Sequence, residues 1–267
     1  MTADRRSPST IDRTLPAARL RPTAASVPNA TLLEREAVGS TIVRLRVRPD
    51  SGVPAFRPGQ YFAIGLESDG VLVQRPYSTS SPRGEAYALE FLVRLVPGGA
   101  LTPRLFGLPT GARLRLGSPK GLFSADPDDP RRPLLVGTGT GIAPLLSILE
   151  TRVGEAASPA SSIPIVVHGA SFAADLAGRS RLAALEAVGR IAYVPAVSRV
   201  SDIANAGWSG AGGRLDGLLP DVLARHRVDP GATLAYVCGN PSLVAAATRV
   251  LLELGIPADA IRSEAWS

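Results

Sequence analysis

Residues 137–144 read Gly-Thr-Gly-Thr-Gly-Ile-Ala-Pro and follow directly on the apolar run Pro133-Leu134-Leu135-Val136. The order of these residues predicts a short buried strand, a glycine-rich turn and a helix opening into Leu145-Leu146-Ser147-Ile148-Leu149-Glu150. Glycine lets the backbone take φ > 0 and come close to a ligand. The N–H groups and positive dipole end of the new helix then face an anion. Pro144 fits the first helical turn, where no N–H is required. Thr138, Gly139, Thr140 and Gly141 are therefore candidates to hold the pyrophosphate of a nucleotide. Ile142 stands where the dinucleotide fingerprint G-x-G-x-x-G has its last glycine. A tight strand-to-helix turn without a ligand is the alternative.

A second element lies upstream. Arg75-Pro76-Tyr77-Ser78-Thr79-Ser80-Ser81 closes a strand-like segment, Val71-Leu72-Val73-Gln74. Alternation along an extended chain sends Arg75 and Tyr77 to one side and Ser78 to the other. A flat, anionic, redox-active ligand uses all three: a guanidinium forks onto its phosphate, a phenol ring stacks on its ring system, and a hydroxyl bonds a ring nitrogen. The plain alternative is a strand end with Tyr77 in the core. Near the C-terminus, Leu234-Ala235-Tyr236-Val237-Cys238-Gly239-Asn240-Pro241 is again strand, turn and helix, and the last residues are Arg262-Ser263-Glu264-Ala265-Trp266-Ser267.

Taken in order, R-x-Y-S, G-T-G-x-x-x-x-P, C-G-x-P and E-x-aromatic make the chain resemble the ferredoxin–NADP⁺ reductase family over roughly residues 30–267. Arg57-Pro58-Gly59-Gln60-Tyr61 is similar to the family's P-G-Q-[FY] strand. Gly99-Ala100-Leu101-Thr102-Pro103-Arg104-Leu105 is similar to its flavin-pyrophosphate segment, especially in the bacterial branch. Ile165-Val166-Val167-His168-Gly169-Ala170-Ser171 is similar to that branch's second nucleotide-domain strand.

The resemblance implies FAD held on a barrel, with Arg75 and Thr102 on its phosphates, Tyr77 against the isoalloxazine, and Pro76, Ser78 and Leu101 also among the cofactor-binding residues. It implies NADP(H) across the second domain, with its pyrophosphate near Thr138, Gly139, Thr140 and Gly141. Ser78, Cys238 and Glu264 would surround the hydride-transfer locus, and Trp266 would cover the flavin face that the nicotinamide must reach. Many bacterial relatives have Ala in that place, so Trp266 departs from their pattern. The second nucleotide-domain strand carries no carboxylate before Asp175, whereas an NAD site often places one there. Arg199 and Arg214 look like positions of that branch that grip a 2′-phosphate, although a third family arginine would align with Ser171; two solvated surface arginines are the alternative. The expected coenzyme is NADP(H). The expected activity is that of a ferredoxin/flavodoxin–NADP⁺ reductase, passing single electrons to a separate, acidic ferredoxin or flavodoxin. An NADH-dependent reductase component of an oxygenase system is the runner-up. A non-catalytic flavin- or nucleotide-sensing subunit is disfavoured, because a sensor needs no hydride-site Cys and Glu.

Composition narrows the partners. The 267 residues carry a net charge of +6, and Lys120 is the only lysine beside 28 arginines. The arginines are scattered and aromatics make up only 5%. A nucleic-acid module pairs a basic stripe with stacking aromatics. A basic surface suits an acidic protein partner and speeds encounter by steering. One cysteine excludes an internal disulfide and a Cys-ligated iron–sulfur cluster in this chain, so a reducing, cytoplasmic setting and a separate iron–sulfur or flavodoxin partner are expected. No apolar run reaches ~18 residues, so no membrane span is expected. There is no metal-ligand spacing, and His168 and His226 read as structural.

The fold class expected is a β barrel plus α/β. Residues 1–29, rich in Pro, Ser, Thr, Ala and Arg, read as a disordered extension. Residues 30–125 read as an antiparallel FAD-binding barrel. Alternating strands such as Thr41-Ile42-Val43-Arg44-Leu45-Arg46-Val47-Arg48 are separated by turn signals such as Ser68-Asp69-Gly70, with one short helix over 102–107. The polar run Asp126-Pro127-Asp128-Asp129-Pro130-Arg131-Arg132 marks a boundary. From 131 to 267, alternating strands and helices read as a doubly wound parallel NAD(P)-binding domain. Helices are expected over 182–188 and 243–254, and a strand over 191–194.

Overall fold

The computed structural model describes residues 27–68, 71–126, 128–153 and 163–266. The expected extension over 1–29 lies outside them up to residue 26, as do residues 69–70 of one turn signal, residue 127 of the linker run and residue 267.

Six strands make the first sheet: β1 (Ala30–Val38), β2 (Ile42–Pro49), β3 (Tyr61–Ser68), β4 (Val71–Ser78), β5 (Leu89–Arg94) and β6 (Arg113–Leu116). All pairings are antiparallel, in the order β4-β3-β6-β1-β2-β5. The two edges meet at an antiparallel bridge between Thr79 and Phe91, which closes the sheet as a barrel. The period-two pattern does this. Val43, Leu45 and Val47 of β2 turn inward with Leu32, Phe62, Ile64, Phe91 and Leu114, while the intervening arginines face out. The short helix α1 (Thr102–Gly107) has the expected bounds, and its Leu105 seals the same core. β4 continues through Pro76 to Ser78, further than the apolar run alone indicated. Proline is tolerated there because β4 ends the strand order and is joined to β5 by a single bridge at Thr79, beyond Pro76, so no continuous ladder needs the missing N–H.

The second sheet is parallel throughout: β7 (Arg132–Thr138), β8 (Ile165–Ala170), β9 (Ala192–Val197), β10 (Ala211–Gly212), β11 (Thr233–Gly239) and β12 (Ile261–Ala265). Its order is β10-β9-β8-β7-β11-β12. Helices α2 (Ile142–Val153), α3 (Arg179–Ala187), α4 (Leu215–Arg225) and α5 (Pro241–Glu253) cover it. Central strands β7 and β11 are buried along nearly their whole length, hence their unbroken apolar runs. None of the helices is long and apolar enough to cross a membrane among the described residues.

Helix α2 belongs to both halves. Ile142, Leu145, Ile148 and Leu149 share one apolar cluster with Ile42, Leu92 and Phe123 of the first half. Ser147 Oγ donates to the Ser81 carbonyl at 2.6 Å in a fully buried bond. Asp175 accepts from the Ser40 N–H at 3.3 Å, and Arg262 donates to the Ser124 carbonyl at 2.8 Å.

Candidate functional site

From β7 the chain builds outward through β8, β9 and β10. It then returns to add β11 and β12 on the other side, so the strand order reverses between β7 and β11. A crevice beyond the carboxyl ends of the strands at such a point is where open α/β sheets bind ligands. Both sequence-predicted glycine turns are there. Thr138 ends β7, and Gly139, Thr140 and Gly141 form a 3₁₀ turn into α2. Gly139 has φ +54°, which favours glycine. A methyl on Gly141 would overlap the Cys238 carbonyl and lie 2.8 Å from Gly239 Cα; one on Gly137 would lie 2.7 Å from Leu145 Cδ1. The glycines thus let two strand ends and a helix start meet. The Arg94 guanidinium, from β5 of the barrel, flanks Gly139 at 3.9 Å from where a Cβ would sit. A cation beside helix-start N–H groups suits a pyrophosphate.

Cys238 and Glu264 are register partners on β11 and β12. Cys238 is fully buried, and burial together with the Glu264 charge pushes its thiol well above the usual range. Burial raises Glu264 to about 7. Its Oε1 is buried without a partner among the described residues. Trp266 donates its indole Nε1–H to Cys238 Sγ at 3.2 Å, and its N–H bonds the Gly239 carbonyl at 2.9 Å. The same ring meets Tyr61 of the barrel edge-to-face, centroids 6.2 Å apart. Tyr61 is in turn the register partner of Ser78. One continuous set, Ser78–Tyr61–Trp266–Cys238–Glu264, therefore runs from the barrel rim to the sheet crevice.

On that rim, Ser78 is buried, and its Oγ has no partner among the described residues. Tyr77 is half-buried against the barrel core, and burial lifts its phenol to about 12, so it is neutral at physiological pH. Arg75 and Pro76 are exposed, and Arg75 Nη1 donates to the neighbouring Gln74 carbonyl at 2.8 Å. The Thr102 hydroxyl is engaged with the Val96 backbone, accepting from its N–H at 2.9 Å and donating to its carbonyl at 3.3 Å. Leu101 is buried in the barrel core at the start of α1. These two residues shape the rim rather than offer free side-chain donors. Buried polar atoms are seldom left unpaired. Ser78 Oγ and Glu264 Oε1 fit a planar ligand with polar edges lying between the rim and the crevice.

Arg199 and Arg214 lie apart from this centre, beyond the ends of β9 and β10. Arg199 is exposed, with its Cζ 5.2 Å from the Phe172 ring centroid. Arg214 immediately precedes α4 and pairs with Asp216 at 3.2 Å. Asn205, buried nearby, donates to the Ser171 and Arg199 carbonyls, both at 2.9 Å, and so fixes the two loops together. Arg179 lies over the Trp208 ring at 4.8 Å beside them. His168 is buried against Tyr193, its Nδ1 3.2 Å from the phenol oxygen, and burial lowers it to about 3. It is a neutral core residue.

Reading the sequence missed Arg94, Tyr61 as the support of Trp266, Asp216, and the Arg179–Trp208 pair. Arg94 sits in an ordinary alternating strand, and only the packing of the two halves brings it to the glycine turn. Helix α4 also went unread. Pro220 interrupts it and lacks the N–H that would bond the carbonyl four residues back, so the segment has no clean helical signal. β12, Ile-Arg-Ser-Glu-Ala, is too polar to announce itself as a strand.

Comparison with known proteins agrees with the geometry. Residues 29–124 match the oxidoreductase FAD-binding domain, and residues 135–249 match the oxidoreductase NAD-binding domain. The chain is 34% identical over 226 residues to ferredoxin–NADP reductase B of Sorangium cellulosum, covering 82% of this chain and 88% of that protein. It is 33% identical over 227 residues to the ferredoxin–NAD(P)(+) reductase component of the naphthalene 1,2-dioxygenase/salicylate 5-hydroxylase systems of a Ralstonia species. That match covers 84% of this chain but 64% of the relative's length, less than two-thirds. Among solved structures, a ferredoxin NADP⁺ reductase from Neisseria gonorrhoeae with bound FAD and NADP superposes with a TM-score of 0.74 at 26% identity, covering 89% of this chain and 97% of that one.

Proposed function

Because the chain belongs to the ferredoxin–NADP⁺ reductase family of FAD- and NAD(P)-binding oxidoreductases, we propose that it transfers hydride between NADP(H) and FAD. We propose further that it exchanges single electrons with a separate ferredoxin or flavodoxin. The observation that carries this reading is Trp266. One aromatic ring touches the barrel rim through Tyr61 and the sheet crevice through Cys238. A site that straddles the two halves suits a reaction between two cofactors, one on each. We take residues 30–125 as the flavin domain and 131–267 as the nucleotide domain.

FAD, when bound, supplies a hydride acceptor that can release electrons one at a time. The chain supplies placement. Arg75, exposed and with no carboxylate partner among the described residues, is offered to the flavin phosphate. Tyr77, held neutral by burial, presents a ring face, and the unpaired Ser78 hydroxyl a hydrogen bond. Thr138 to Gly141 and Arg94 form the pyrophosphate cradle. Cys238 stays a thiol, a soft neutral wall against which a nicotinamide can lie without charge repulsion. Glu264, raised to about 7, can hold or release a proton at neutral pH on the carboxylate oxygen that has no partner among the described residues. Trp266 occupies the place the nicotinamide needs and must swing out to admit it. The single cysteine, buried and unpaired, fits a reducing cytoplasmic setting.

A second reading is kept for one observation: the arginine next to α4 already carries a carboxylate partner. A reductase component of an oxygenase system that accepts NADH would tolerate that pair. Anaerobic titration of the purified flavoprotein, first with NADPH and then with NADH, separates the two. Stoichiometric bleaching by NADPH at far lower concentration than by NADH is the expected result. Equal responses favour the oxygenase reading, and a protein that takes up no FAD removes both.

A further inference from the structure

Asp216 is the second residue of α4, and its Oδ1 accepts from Arg214 Nε at 3.2 Å. The Arg214 side chain is 60% exposed and that of Asp216 22%, so the pair lies at the rim of the sheet with the carboxylate set deeper than the guanidinium. The bond uses only Nε and leaves both terminal nitrogens of the fork to an incoming acceptor. Arg199 has no such partner among the described residues: it lies over Phe172, and the neighbouring carboxylate of Asp202 is engaged with the Ala204 N–H at 2.9 Å. Of the two arginines offered to a 2′-phosphate, one therefore already carries an acidic partner.

Two effects of the carboxylate oppose each other. It holds the Arg214 fork in place before a coenzyme arrives, which helps phosphate binding. Its charge also repels the phosphate, which is largely dianionic at neutral pH because its second pKa is about 6. An exposed pair gains little from being held. The repulsion acts on two charges within a Debye length, where screening is incomplete. Repulsion therefore wins. A coenzyme without the phosphate meets no such penalty, and its ribose hydroxyls can donate to the same carboxylate.

We infer that Asp216 is a specificity-determining residue that narrows the preference for the 2′-phosphorylated coenzyme and keeps NADH usable. The inference rests on the proposed nucleotide site at Arg199 and Arg214. It is tested by calorimetric binding of 2′,5′-ADP and 5′-AMP, fragments that differ only in the 2′-phosphate, to the FAD-loaded full chain. In Asp216→Asn the ratio of the two affinities should shift toward 2′,5′-ADP by about three- to ten-fold at low salt, and by less at high salt. The NADPH-to-NADH ratio of kcat/KM should move with it. Arg214→Ala should weaken 2′,5′-ADP and spare 5′-AMP. If Arg214→Ala weakens 2′,5′-ADP but Asp216→Asn leaves the ratio unchanged or lowers it, the inference falls and the nucleotide site stands. Asp216 is then only an acidic residue suited to the helix start, and its loss registers as a lower Tm. If Arg214→Ala leaves 2′,5′-ADP binding intact, the nucleotide site itself is misplaced.

Discussion

The crevice between β7 and β11 is assembled from backbone, whereas the region beyond β9 and β10 is assembled from side chains at the surface. At the crevice, Gly137 and Gly141 permit approaches that no Cβ allows, Gly139 takes a left-handed φ, and buried polar atoms on Glu264 and, across on the barrel rim, Ser78 have no partner among the described residues. Beyond β9, Arg199 and Arg214 are exposed and lean on replaceable neighbours, Phe172 and Asp216. The first region cannot change without moving strands. The second can be retuned by one substitution. In the proposed reading, chemistry lies in the part that packing over-determines, and discrimination between similar coenzymes in the part that packing leaves free.

The sharpest test of this contrast is Gly141→Ala. Its methyl would meet backbone atoms of Cys238 and Gly239, which have nowhere to go. Overpacking of this kind should cost about 3 kcal/mol, lowering Tm by roughly 6–12 °C, and scanning calorimetry measures it. A Tm within a degree of wild type would mean the crevice is not backbone-limited. The Arg199→Ala, Arg214→Ala double variant should do the opposite, leaving Tm unchanged. Charge-assisted bonds of about 1.5–3 kcal/mol each, reduced by exposure, imply a loss of about 10- to 10²-fold in NADPH preference, read from kcat/KM for both coenzymes.

Much of the crevice was legible in the residues themselves, because glycines at strand ends and a strand–turn–helix order leave few alternatives. Ser78, Cys238, Glu264 and Trp266 were legible only as an ordered set that resembled a family. That Tyr61 supports Trp266 depends on how the barrel meets the sheet, and no local pattern encodes it. The surface region was harder still. Arg199 and Arg214 stood out by position, but Asp216 looked like any acidic residue until α4 turned it back onto Arg214. The proline inside α4 hid the helix that makes that turn.

Glu264→Gln probes the crevice by pH. Burial raises the carboxyl to about 7 in the folded protein. The folded state therefore loses stability as pH rises from the ordinary carboxylate range through about 7, while the glutamine variant does not. Above about pH 8 the variant should be more stable by on the order of 2 kcal/mol, and below about pH 4 the difference should vanish. Urea midpoints at the two pH values would reveal it, and a constant difference would place the carboxylate in water. Smallest is Trp266→Ala. Losing the ring proposed to hold the nicotinamide's place should tighten NADP⁺ by about 0.5–1.5 kcal/mol, seen as a lower Kd in difference spectra. Weaker binding would make Trp266 part of the coenzyme platform.

The helix shared by both halves has a consequence for how such a chain can be inherited. Ile42, Leu92 and Phe123 are covered by α2, so cutting between the halves would bare apolar surface on each and strand the Ser81 carbonyl. The pair is thus a poor candidate for shuffling piece by piece. A recombination that exchanges one half must therefore bring an α2 face that fits Ile42, Leu92 and Phe123 of the other, so the spacing of the two domains is set by hydrophobic packing.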